Sequence, residues 1–119
     1  MNRLLLCLVL ILLGTSAQAQ KVDYHSGNYF LPLCKLAIAD TIPKNADIMG
    51  IGQCAGVIQA LASTGAMYRT DARYCVPENA TLKQIAQVVI NYLERKPQNL
   101  HFDFVGLAQT ALREAWPCR

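Results

Sequence analysis

The side chains best equipped for chemistry are four cysteines, Cys34, Cys54, Cys75 and Cys118, and two histidines, His25 and His101. A thiolate beside an imidazole would make a nucleophile, and clustered cysteine and histidine would hold a zinc ion. Neither pattern is present. The cysteines are separated by 20, 21 and 43 residues and form no paired-ligand motif, which argues against a metal or a bound cofactor. His25 lies in a polar segment before the first helix, and His101 stands at the opening of the last one. Asp40, Asp47, Asp71, Glu78, Glu94, Asp103 and Glu114 show no paired arrangement suited to acid–base work. No catalytic residue is assigned, and the chain does not read as an enzyme.

The same cysteines make better sense as covalent staples. A fifth, Cys7, sits inside an unbroken apolar run from Leu4 to Leu13, after a short positive head and before Ala17-Gln18-Ala19. That order of features reads as a secretory signal peptide, residues 1–19, because so short a run cannot cross ~30 Å of hydrocarbon. The mature domain then covers residues 20–119, with four cysteines in an oxidising compartment. An even count in a short exported domain reads as two disulfides, with three possible connectivities.

Charge narrows the partners. Loss of Arg3 with the leader lowers Lys+Arg from 11 to 10, against 8 Asp+Glu, so the net charge falls from +3 to +2. The basic residues are scattered, and no dense stripe suits a nucleic acid. Gly50-Ile51-Gly52 and Gly56 resemble a phosphate loop only superficially, since no Lys-Ser/Thr pair follows. Asn79-Ala80-Thr81 is a glycosylation sequon that matters only in a eukaryotic secretory route.

Four helices must position these groups. Asn28 is placed as the cap of the first, which carries Phe30, Leu33, Cys34, Leu36, Ala37 and Ile38, with Pro32 in its first turn. The segment before it, Gln20 to Gly27, is expected to fray. A second helix begins near Ala46 and buries Ile51, Cys54, Val57 or Ile58, Leu61 and Ala62. Gly52 and Gly56 are expected to let a neighbouring helix approach closely. Residues Met67 to Asn79 have no clean period. Thr81 and Gln84 spell a capping box before a third helix with Leu82, Ile85, Ala86, Val89, Tyr92 and Leu93 on one face. Asn99 is placed as the cap of the fourth, with Phe104, Leu107, Ala108, Ala111, Leu112 and Ala115 inward. The fold class is all-α, a small disulfide-stapled bundle of about four helices.

If the helices run antiparallel, Cys34 and Cys54 lie ~10 Å and ~12 Å below the same turnaround. Cys75 precedes the third helix and Cys118 follows the fourth, so both belong at the other end. This layout predicts Cys34–Cys54 and Cys75–Cys118. The irregular segment supplies the candidate partner-binding residues Tyr68, Arg69, Asp71 and Arg73, because long loops often carry function and tyrosine and arginine are common anchors. Tyr24, Tyr29, Tyr68 and Tyr74 otherwise read as half-buried packing.

Several motifs point to one family. They are Phe30-Leu31-x-x-Cys34, Cys54-x-Gly56-Val57-Ile58, Cys75-x-Pro77, Gln87-Val88-Val89-x-x-Tyr92-Leu93 before Pro97, and Ala111-Leu112-x-x-Ala115-Trp116-Pro117-Cys118. In this order and spacing the chain resembles the Rap/Tai-type immunity proteins of bacterial type VI secretion, from about Gly27 to Cys118. It departs at Val57, where that family usually has an aromatic residue, and at Ala60, where a second glycine is common. The resemblance implies a periplasmic, disulfide-bonded helical protein, often a homodimer. Its partner would be a peptidoglycan amidase effector, whose active site it occludes. Two other classes share such a scaffold: a small periplasmic acid-stress-type chaperone and an orphan binding protein.

Overall fold

A computed structural model describes residues 18–119. The leader expected at residues 1–19 therefore lies almost entirely outside the described residues. Four α-helices follow: α1 (Gly27–Ala37), α2 (Ile48–Thr64), α3 (Leu82–Arg95) and α4 (Phe104–Ala115). Short 3-10 turns sit at Gly65–Met67 and Pro97–Asn99. Among the described residues no helix is long and apolar enough to cross a membrane. The fold is an all-α bundle closed by two disulfides, Cys34–Cys54 and Cys75–Cys118.

The core forms where the apolar stripes meet. Ile51, Cys54, Ile58 and Leu61 recur every three or four residues along α2 and are buried. They meet Phe30 and Cys34 of α1, Val89, Ile90 and Leu93 of α3, and Phe104, Ala108 and Leu112 of α4. The rings of Phe30 and Phe104 stack with centroids 4.3 Å apart, joining the first helix to the last. Each valine, leucine, isoleucine or phenylalanine side chain so buried contributes about 1.5–3 kcal/mol. Among the described residues the ion pairs between side chains, such as Lys35–Glu94 at 3.3 Å, are all exposed and add little.

The helix starts are set by side-chain caps. The Thr81 hydroxyl accepts from Gln84 N at 3.2 Å and the Gln84 side chain accepts from Thr81 N at 2.8 Å, completing the capping box of α3. Asp47 caps α2 by accepting from Gly50 N at 2.9 Å.

Two other caps differ from expectation. Ser26, not Asn28, caps α1: it has extended backbone and its hydroxyl accepts from Tyr29 N. The reason lies in the turn before α4. Leu100 O accepts from Asn28 N at 2.8 Å, Phe102 O from Gly27 N at 3.0 Å, and His25 O from Phe104 N at 2.7 Å. These bonds satisfy three of the otherwise free donors at the two helix starts and pin the chain from His25 onward, where fraying was expected. Gly27 suits this tight spot, because a Cβ would stand 2.8 Å from Leu107 Cδ1 and 3.1 Å from Leu100 O. The longer α1 also puts Pro32 at its sixth position, beyond the first turn. Asp103, not Asn99, caps α4, accepting from Gly106 N at 3.1 Å; Asn99 ends the turn that starts at Pro97.

The glycines of α2 point outward. Gly52 and Gly56 each lie two residues, ~200°, from Cys54, and thus on the far side of the helix. Nothing lies within 4 Å of a Cβ built on either. The close approach occurs at Gly50, whose Cβ would stand 2.8 Å from Leu33 Cδ1. Nor do α1 and α2 run antiparallel. Antiparallel packing through Cys34–Cys54 would set Tyr29 and Asp47 ~18 Å apart along the axes. Instead, Tyr29 OH donates to Asp47 Oδ2 at 3.4 Å. The connection from Ile38 to Asp47 lets the chain double back and start α2 near the start of α1.

Candidate functional site

The groups singled out for chemistry are accounted for first. Cys34 and Cys54 are fully buried and bonded, with Cα atoms 5.4 Å apart. Cys75 and Cys118 are bonded with Cα atoms 5.0 Å apart, and Cys75 is exposed. His25 and His101 are both exposed, and His101 packs its ring on Phe102 at 4.1 Å. Among the described residues no three His, Cys, Asp or Glu side chains lie together as a metal site would need.

What remains is surface, at the two ends of α2. At the C-terminal end the chain turns through Gly65–Met67 into the segment carrying Tyr68, Arg69, Asp71 and Arg73. Its tip is open: the side chains of Arg69 and Asp71 are 92% and 82% exposed and meet at 3.9 Å. Its base is fixed. Tyr74 is completely buried, and its hydroxyl donates to Leu61 O at 2.9 Å. Burial pushes the Tyr74 hydroxyl up to about 12, with a smaller contribution from neighbouring Tyr68. Gly65 makes room for the ring, since a Cβ there would collide with it. Cys75 N donates to Trp116 O at 2.8 Å beside the Cys75–Cys118 bond. Arg73 Nε donates to Tyr68 O at 3.4 Å, closing the loop on itself. The structure thus brings the four candidate residues onto one short anchored loop.

At the N-terminal end of α2 two clefts flank Tyr29 and Asp47. The larger, about 790 Å³, includes Val22, Asp23, Asn28 and Pro32 in its lining. The smaller, about 390 Å³, includes Tyr24, Phe30, Met49 and Gln53. Sequence reasoning gave no role to this end. Its residues come from the segment before α1, from α1 and from the cap of α2, and no local motif links them. The one available signal is Asp47 standing immediately before an apolar helix start.

A stapled helical scaffold that presents an anchored loop and open clefts defines an interaction module. The model of the Rap1a immunity protein family matches residues 26–118, from the cap of α1 to the last cysteine. The chain belongs to that family and is an immunity protein for a secreted effector. No curated protein and no solved structure matches it. Members of the family generally act by binding rather than by catalysis.

Proposed function

We propose that this protein binds a peptidoglycan amidase effector, delivered by type VI secretion, in the periplasm and occludes its active site. The leader read at residues 1–19 would carry it there, and no catalysis by the chain itself is needed. The observation that carries the reading is the family match over residues 26–118. The loop of Tyr68, Arg69, Asp71 and Arg73 is the proposed inserting element. Its exposed tip on a base fixed by Tyr74 and Cys75 supports this, because a pre-ordered loop loses little entropy on docking. A homodimer is proposed as well, through the outward face of α2, where Gly52 and Gly56 leave room for a second backbone.

The test is titration of the co-encoded secreted amidase with purified protein, reading both binding and peptidoglycan hydrolysis. Tight binding that abolishes hydrolysis is expected, with loss of both when Tyr68, Arg69, Asp71 and Arg73 are all changed to alanine. Undiminished affinity of that variant removes the loop from the interface. Failure to bind any amidase, together with retention of acid-unfolded client proteins, would place the chain with periplasmic chaperones instead.

A further inference from the structure

The smaller cleft at the start of α2 brings three aromatic rings beside a carboxylate. The rings of Tyr24 and Tyr29 stand 5.1 Å apart at 74°, and those of Tyr29 and Phe30 stand 5.2 Å apart at 84°. All three rings line the cleft, and a cation within about 6 Å of a ring centroid is attracted by whichever π face the edge-to-face contacts leave open. The carboxylate borders the same cleft. Asp47 Oδ1 is engaged by Gly50 N, while Oδ2 accepts from Tyr29 OH at 3.4 Å.

Among the described residues Asp47 makes no ion pair, and Lys21 lines the larger cleft beside it together with a second carboxylate, Asp23. The described ion pairs are Lys35–Glu94, Arg69–Asp71, Lys83–Asp40 and Arg95–Glu114, and neither lysine nor arginine lines the cleft. The start of α2 offsets only part of the carboxylate, since a helix N-terminus carries about half a positive charge. A negative balance therefore remains beside two tyrosines. Met49 is 77% exposed on the rim and Val57 is half-buried in the wall, so an alkyl stem would find apolar cover. The volume, about 390 Å³, exceeds what one long side chain needs.

We infer that this cleft receives a basic side chain, lysine or arginine, presented by a protein partner. That the partner is a protein rests on the effector-binding reading; recognition of the basic group does not. The site is separate from the Tyr68–Arg73 loop, at the other end of a helix ~25 Å long.

The experiment is NMR titration of the full mature chain with the methylamides of N-acetyl-lysine, N-acetyl-arginine and N-acetyl-norleucine. The first two are expected to move the ring resonances of Tyr24 and Tyr29, and the uncharged norleucine compound to leave them in place. Tyr24→Leu should weaken binding about threefold or more, the loss that one cation–π contact implies, and Asp47→Asn should weaken it by about as much through loss of an exposed ion pair. Asparagine caps a helix as well as aspartate, so Asp47→Asn keeps α2 intact. Tyr24 is 62% exposed and its loss leaves the core untouched. Equal shifts with norleucine, no shifts with any compound, or an unaffected Asp47→Asn variant would each overturn the assignment. Because no effector is present, failure here is distinct from failure of the amidase reading.

Discussion

Tyr74 Oη lies 2.9 Å from the carbonyl oxygen of Leu61, thirteen residues back in the chain, and both groups are out of reach of solvent. This bond adds a donor from a distant residue to a carbonyl in the last turn of α2, to which Thr64 Oγ1 also donates at 3.5 Å. It also fixes the base of the candidate loop to the central helix. Tyr74→Phe should therefore cost about 1 kcal/mol, because one buried hydrogen bond is lost while the ring still packs. Tyr74→Ala should cost about 3–5 kcal/mol. Urea unfolding of both variants checks the order.

The same residue sets an alkaline limit. The folded chain holds the Tyr74 proton to about pH 12, whereas an unfolded tyrosine releases it near 10. Below pH 10 both states are protonated and this group gives no pH dependence. Between 10 and 12 the unfolded state ionises first, so stability falls with rising pH. The fall should be visible in urea midpoints and smaller in Tyr74→Phe.

Glycine substitutions should separate the inner and outer faces of the fold. Gly56→Ala and Gly52→Ala meet open space in a helix interior and should raise monomer stability by about 0.5–1 kcal/mol each. Gly27→Ala and Gly65→Ala meet Leu107 and Tyr74 and should destabilise by about 1–3 kcal/mol. Thermal melts of the four variants test the assignment. Sedimentation of Gly56→Trp tests the proposed dimer, which should dissociate.

The two disulfides should differ in accessibility. Cys34 and Cys54 are sealed in the core, whereas Cys75 is exposed. Graded reduction of the native protein followed by alkylation should label Cys75 and Cys118 first and Cys34 and Cys54 only on unfolding. In the chain-entropy account, loops closing 20 and 43 residues contribute about 3 and 4 kcal/mol. Losing the pair Cys75 and Cys118 to alanine should thus lower stability markedly while leaving the α1–α2 contact stapled.

Cap replacement gives a smaller effect. Asp103→Ala and Thr81→Ala should each cost about 1 kcal/mol, and Asn99→Ala near nothing, since Asn99 caps no α-helix.

Much of the fold was legible because local rules governed it. The Thr81/Gln84 box and the apolar period of α3 depend only on neighbours in sequence, and both are present. Ser26 falls in a segment that reads as frayed from sequence because its role is set by Leu100, Phe102 and Phe104, over seventy residues away. Gly52 and Gly56 look like packing residues until the phase of the helix is fixed by Cys54. The crossing of α1 and α2 is equally non-local. Cys34 and Cys54 are joined, but not across the antiparallel hairpin that equal heights presuppose. The cleft around Asp47 was invisible for the same reason, since Tyr24 and Tyr29 read as packing until the chain folds back beside them.

The two disulfides enclose residues 34–54 and 75–118, two rings that neither nest nor overlap. The chain between them, including Tyr68 to Arg73, belongs to neither ring. A single cut after Arg69 or Arg73 would divide the molecule into two pieces with no covalent connection, while a cut inside either ring would leave every piece attached. Trypsin nicking of the native protein should therefore give one band on a native gel and two in denaturant without reductant. Among the described residues the segment between the rings is the only covalent bridge between the halves, and partner occupancy at its exposed loop would shield it from the protease.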